Sequence, residues 1–266
     1  MVNRIAFING KGGCGKTTSL FHVSGVLSKA GEKVLVIDFD KQRNTTDTLL
    51  MNTEKPGKSV FDVMKGAATF DEATSGALFQ SRGNANPKYY NVDCLAASVE
   101  LDDEAFLKTI DVEKFGLELK NFIKERGYTW VLVDMPPSSK ELNRICFSCV
   151  VDFVISPFSS DGFSISGYGD ILNTVVEARK ENPSLNSIGL YLSRYMAGCG
   201  LDRYVRGELE KKYGDYFIDV QIPIAADVRE GVWYGRPLSY YKAFSESRKA
   251  FESLVNEIKK RIRAIR

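Results

Sequence analysis

Between residues 10 and 18 the chain reads Gly10-Lys11-Gly12-Gly13-Cys14-Gly15-Lys16-Thr17-Thr18. Glycines lacking a Cβ let successive backbone N–H groups converge on one point, and a convergent set of N–H donors binds phosphate oxygens. The segment contains the pattern G-x-x-x-x-G-K-[ST], in which the loop from Gly12 to Thr18 would wrap the phosphates. Lys16 is placed to reach the β- and γ-phosphates, and the Thr17 hydroxyl to ligate Mg²⁺. By residue frequency such a pattern arises by chance in about one chain of this length in a hundred. An apolar run before it and a helical pattern after it supply the strand and the helix N-terminus that the mechanism needs. The chemistry implied is nucleoside-triphosphate binding.

That chemistry needs carboxylates for the metal and for water. Asp134 closes the apolar run Trp130–Asp134, and Pro136 and Pro137 forbid the strand from continuing. An Asp so placed can hold the Mg²⁺ shell, its competing role being a helix N-cap. Asp38 and Asp40 stand where a second apolar run ends. One of them is suited to position or deprotonate the attacking water and the other to order the loop; solvated turn aspartates are the alternative.

The elements that must hold these residues follow from the pattern. Arg4–Asn9, Lys33–Asp38 and Trp130–Asp134 read as buried strands, with Phe153–Ser156 and Ile188–Ser193 weaker candidates. Amphipathic stretches near Thr17–Ala30, Val112–Arg126, Ile165–Lys180, Leu201–Tyr213 and Phe244–Arg266 read as helices. Continuous Val/Ile/Leu runs separated by such helices predict an α/β fold, a mostly parallel central sheet with helices on both faces. Ser81–Asn91 reads as a surface loop, and the whole of residues 1–266 parses most simply as one domain.

Composition narrows the classes. The 266 residues are 44% apolar and 26% charged, an ordinary globular balance. No apolar run is long enough to span a bilayer, and Met1 leads straight into a patterned strand, so neither a leader nor a membrane anchor is expected. Five scattered cysteines fit a reducing cytoplasm rather than a disulfide framework. A single histidine, His22, argues against a Ser-His-Asp triad or a His-rich metal site. The formal charge is +2, yet residues 242–266 carry eight Lys/Arg and three Glu. That basic terminus suits either an anionic partner or the dipole of a terminal helix.

Lys11-Gly12-Gly13-Cys14-Gly15-Lys16-Thr17 resembles the deviant Walker A motif, KGGxGK[ST], of the ParA/MinD class of P-loop ATPases. Three further segments look ParA-like: Asp38–Thr46 (family D-x-D-P-Q-x-N-x-T), Asp134–Ser138 (family D-x-P-P-S), and Ile222-Pro223 leading to Tyr234-Gly235-Arg236-Pro237. The resemblance covers essentially the whole chain, which is similar to the short ParA/Soj type, no N-terminal helix-turn-helix extension being expected. It implies ATP and Mg²⁺ as cofactors, with Lys11 reaching the partner's nucleotide across an ATP-sandwich homodimer. It further implies that Asp40 aligns the hydrolytic water, that Asp38 supports the metal and switch region, and that Asp134 is the Walker B carboxylate. Adenine would lie near Ser193–Arg194 and the loop Pro223–Asp227. The ATP-bound dimer of the family binds DNA non-specifically on the nucleoid, in the cytoplasm, and a ParB-like adaptor stimulates hydrolysis to segregate plasmid or chromosomal DNA.

Two departures stand out: Lys41 replaces the family's proline after Asp40, and the segment from Arg229 to Pro237 is shorter than in many relatives. Arg229 stands where relatives often carry a DNA-contacting arginine, and Arg203, Arg206 and Lys211 share a helical region that could join a basic surface; solvated charge is the alternative for each. Phe251, Leu254, Val255, Ile258, Ile262 and Ile265 recur at helical steps among basic residues. Such a stripe suits either packing on its own domain, the favoured reading, or a MinD-like membrane-surface helix. A nucleotide-switched scaffold with little turnover is a further alternative, and a small-molecule kinase a weaker one. Cys146 and Cys149 read as packing cysteines and His22 as structural. Cys14 is expected to be oxidisable or alkylatable, its thiolate favoured by the helix N-terminus.

Overall fold

A computed structural model of the chain describes residues 1–79, 86, 88–160, 167–242 and 244–266. Along the chain run β1 (Asn3–Phe7), α1 (Lys16–Lys29), β2 (Val34–Asp38), α2 (Asn44–Leu49), α3 (Val60–Met64), β3 (Thr74–Phe79) and β4 (Lys88–Leu95). Then follow α4 (Glu104–Leu107), α5 (Val112–Arg126), β5 (Trp130–Asp134), α6 (Lys140–Ile145), which ends in a π-helical turn over Cys146–Val150, and β6 (Phe153–Phe158). The last part holds α7 (Gly167–Ala178), β7 (Asn186–Tyr195), α8 (Gly200–Tyr213), β8 (Phe217–Pro223), α9 (Ala226–Trp233), α10 (Leu238–Tyr241) and α11 (Glu246–Ile265).

Among the described residues the strands form one sheet in the order β3-β4-β2-β5-β1-β6-β7-β8. Neighbours are parallel except β3 and β4, which pair antiparallel at the edge. The apolar runs occupy the interior because both of their faces are covered. Ile5 and Phe7 of β1 pack with α1 and α11 on one side, and Ala6 and Ile8 pack toward α5 and α6 on the other. Every residue of β2 and of β5 is buried.

The expected strands and helices are found, with boundaries shifted by a residue or two where caps decide them. Helix α11 begins at Glu246 because the Ser245 hydroxyl accepts from the Arg248 N–H. Residues 165 and 166 of the expected third helix lie outside the described residues, as do residues 81–85 and 87 of the expected loop. The far end of that loop is corrected: Lys88–Asn91 open β4, where alternation is masked by two adjacent tyrosines. Strand β8 was not anticipated, its charged and polar positions Asp219 and Gln221 breaking the apolar run.

Two close approaches lock the helices around the site. A Cβ on Gly25 of α1 would lie 2.3 Å from Pro237 Cβ, so the segment before α10 packs directly on the α1 backbone. A Cβ on Gly116 of α5 would lie 2.5 Å from Cys149 Cβ. This supports packing as the role of the Cys146–Cys149 pair, with Cys146 buried and Cys149 half-buried against α5.

Candidate nucleotide and magnesium site

Parallel pairing brings the carboxyl ends of β1, β2 and β5 to one level, because Phe7 is in register with Asp134 and Asp38 with Asp134. The loop from Gly10 to Gly15 leaves β1 at this edge and turns into α1. Gly15 is the N-cap of that helix with φ 93°, and Gly13 has φ 76°, left-handed conformations that suit glycine. The free N–H groups of the α1 terminus thus face the ends of β2 and β5.

A cleft of about 790 Å³ opens there. It is lined on one side by Gly12, Gly13, Gly15, Lys16, Thr17 and Thr18, and on another by Asp40, Lys41 and Gln42. Its far wall is apolar, from Ile222, Pro223, Ile224, Val228 and Val232, with Arg194 beside them. A polar end rich in N–H donors and an apolar end of this size suit a triphosphate and a base respectively.

Within the cleft Lys16 is buried, and its Nζ donates to the carbonyls of Asn9 and Lys11, both at 3.2 Å. Thr17 Oγ1 donates to Asp134 Oδ2 at 2.5 Å, and Thr45 Oγ1 donates to the same oxygen at 2.7 Å. Asp38 Oδ2 accepts from both the N–H and the hydroxyl of Thr46 at 2.8 Å, while its Oδ1 accepts from the Asp40 N–H at 3.0 Å. The Thr46 hydroxyl accepts in turn from the Ala97 N–H at 3.0 Å. Asp40 itself is half-buried at the cleft and accepts from the Gln42 N–H.

Asp38 and Asp134 are both buried neighbours on adjacent strands, and burial is the main force raising each carboxyl above its ordinary range. For Asp38 the Asp134 charge pushes the same way, against the Thr46 hydrogen bonds. For Asp134 the hydroxyls of Thr17 and Thr45 and the Lys16 charge pull down. Such a pair is short of positive charge, and the Oδ1 atom of Asp134 is buried with no hydrogen-bond partner among the described residues. An orphaned carboxylate oxygen next to the Thr17 hydroxyl fits a magnesium ion that arrives with phosphates. Among the described residues no group of three or more His, Cys, Asp or Glu could hold a metal.

The structure gathers most of the expected residues here, with exceptions. Asp227, expected in the adenine loop, is turned away: its carboxylate accepts from the Ser245 and Ser247 hydroxyls and from the Val228 N–H, tying α9 to the start of α11. The expectation for Cys14 is corrected, since burial raises its thiol above the ordinary value and outweighs the Lys16 charge. Asn9, Thr45 and Thr46 were missed as site residues, while Ser193, expected near the adenine, lines the cleft. The Ser193 hydroxyl donates to the Cys14 carbonyl, tying the end of β7 to the phosphate loop. The adjacent hydroxyls of Thr45 and Thr46, just after the acidic strand end, were the available signal.

The AAA_31 model, an AAA domain, matches residues 2–187. The chain belongs to this family. It is 27% identical over 261 residues to the chromosome-partitioning ATPase Soj of Treponema pallidum (strain Nichols), a match covering 97% of each chain. It is 27% identical over 258 residues to the chromosome partitioning protein ParA of Caulobacter vibrioides (strain NA1000 / CB15N), over 96% of this chain and 92% of that one. The septum site-determining protein MinD complexed with Mg-ADP, from Pyrococcus horikoshii OT3, matches with a TM-score of 0.71 at 25% identity, over 100% of this chain and 99% of that chain. The protein is a P-loop ATPase of the ParA/MinD type.

In this ATPase the apolar stripe of α11 is spent on the core. Phe251, Leu254, Val255, Ile258 and Ile262 are buried against α1 and the sheet, and Ile265 is left exposed. Much of the basic charge around it is also engaged: Arg248 with Glu252, Lys249 with Glu246, Lys259 with Glu32, Lys260 with Glu257, and Arg261 with three backbone carbonyls. No helix among the described residues is long and apolar enough to cross a membrane. Of the four candidate nucleic-acid residues, Arg206 is paired with Asp219 and Glu210. Arg203 and Lys211 are exposed on α8, and Arg229 is exposed on α9 at the cleft; none of these three makes an ion pair among the described residues.

Proposed function

We propose that two copies of this ATPase close on ATP, bind DNA without sequence preference as a dimer, and release it when hydrolysis is triggered by a ParB-like adaptor, so segregating plasmid or chromosomal DNA. The observation that carries this reading is the placement of Lys11. Gly12 and Gly13 line the nucleotide cleft, whereas Lys11 lies across the loop at a second cavity of about 470 Å³ with Asn9, Cys14, Asn143 and Asp170. Lining that second cavity rather than the nucleotide cleft, Lys11 is the residue this reading assigns to another copy's nucleotide. The Soj and ParA relatives, partitioning proteins by name, agree with this use of the fold.

In this reading the loop N–H groups from Gly12 to Thr18 hold the phosphates, and Lys16 swings from the Asn9 and Lys11 carbonyls onto the β- and γ-oxygens. Thr17 and Asp134 would hold magnesium, which when bound neutralises charge on the phosphates. Asp38 anchors the loop carrying Asp40, and Asp40 orients the attacking water. Ile222, Pro223, Val228 and Val232 sandwich the base beside Arg194. Arg203, Lys211 and Arg229 supply the cationic surface for DNA, with Arg206 contributing less because it is already neutralised.

The test is binding to random-sequence duplex DNA with ATP, with ADP and without nucleotide, across a salt series. Binding with ATP alone, weakening steeply as salt rises, supports the reading. Absence of DNA binding in every nucleotide state refutes it.

A further inference from the structure

The geometry points to Thr45 as a positioning residue for magnesium, acting through Asp134. Thr45 is 1% exposed and sits in the first turn of α2, a segment 89 residues distant from Asp134 in sequence. A threonine in a helix usually directs its hydroxyl to a carbonyl of the preceding turn or to solvent. Here it donates at 2.7 Å to Asp134 Oδ2, the oxygen that already accepts from Thr17. In the motif D-x-D-P-Q-x-N-x-T this position is the variable one between the asparagine and the last threonine, so the hydroxyl is a feature of this chain.

Two donors on one oxygen fix the plane of the carboxylate, and Oδ1 is then the atom left for another partner. The Thr17 proton is directed at Asp134, which turns the lone pairs of its oxygen toward the phosphate loop, where a metal would sit. Thr45 holds the carboxylate in that pose through its second hydrogen bond to Oδ2. Its neighbour Thr46 grips Asp38 with two hydrogen bonds. The first turn of α2 therefore clamps both buried acids, and movement of the Asp38–Thr46 loop is transmitted to the metal carboxylate through one hydroxyl.

The proposal rests on the reading of the cleft as a magnesium-nucleotide site. It is tested by ADP affinity, with magnesium and with EDTA, for the parent, Thr45→Val and Thr45→Ser. Loss of a partner to a metal ligand costs about 10-fold or more in metal affinity. Thr45→Val should lose about that factor of the magnesium-dependent tightening while its affinity in EDTA stays at the parent value, and Thr45→Ser should restore it. An unchanged magnesium effect in Thr45→Val overturns the proposal, as does an equal loss with and without the metal, which would mark a merely structural residue. If Thr45→Val does not fold, Thr45→Ala is read by the same outcomes. A parent whose ADP affinity is indifferent to magnesium would sink the reading of the cleft itself.

Discussion

His22 offers the sharpest quantitative prediction, because its surroundings accept only the neutral ring. It is 1% exposed in α1, its ring tilted against Phe251 at 4.7 Å and edge-on to Phe21. Its Nε2 donates to the Val228 carbonyl at 3.2 Å, and its Nδ1 accepts from the Leu238 N–H at 3.4 Å. A proton on Nδ1 would therefore face another N–H. Burial lowers its pKa from 6.5 to about 4, against the weaker pull of the Val228 carbonyl and the Asp227 charge. The unfolded chain then binds the proton first, so stability is full above the unfolded value and is lost as pH falls toward the folded one. Linkage gives a loss of about 2 kcal/mol between pH 8 and pH 5, approaching about 3 kcal/mol below pH 4. Asp38 and Asp134 act in the opposite sense, since their raised pKa values make acid favour the fold. The His22→Gln variant separates the two, because it keeps the acids and removes the imidazole. Urea unfolding of parent and variant at several pH values should show their stability difference shifting by about 2 kcal/mol against the parent between pH 8 and pH 5. A difference that does not change with pH would refute the assignment of a neutral, doubly bonded ring.

Asp40→Ala should retain ATP binding, lower hydrolysis by about 10²-fold or more, and accumulate the ATP-bound dimer, read by phosphate release and size-exclusion chromatography; turnover at the parent rate would remove Asp40 from the water-positioning role. Lys11→Ala should bind ATP yet remain monomeric on the same column, whereas an ATP-induced dimer would exclude the trans role. Thr46→Val removes a hydroxyl donor from buried Asp38 and should cost about 1–3 kcal/mol, seen as a lowered denaturation midpoint. Gly25→Ala places a methyl 2.3 Å from Pro237 Cβ and should destabilise by about 1–3 kcal/mol in the same assay.

The chemistry of the phosphate loop was legible from the sequence alone because it is local. Nine consecutive residues, preceded by an apolar strand and followed by a helix, carry the turn conformations, the N–H donors, the lysine and the hydroxyl together. The buried strands β1, β2 and β5 were legible for a similar reason, since a strand covered on both faces must be apolar throughout. The stripe of α11 was legible as one apolar helical face, and its burial against α1 and the sheet bears out the favoured reading of packing. What tertiary structure decided are the relations between distant segments. Register between β2 and β5 sets Asp38 beside Asp134, and the electrostatic shortage that calls for a cation exists only once they are neighbours and dry. The same holds for Thr45 on Asp134, for Asp227 drawn off to Ser245 and Ser247, and for the neutralised Arg206. A residue type announces what a group can do, but its protonation, its partner and the direction it faces depend on which surfaces the fold has removed from water.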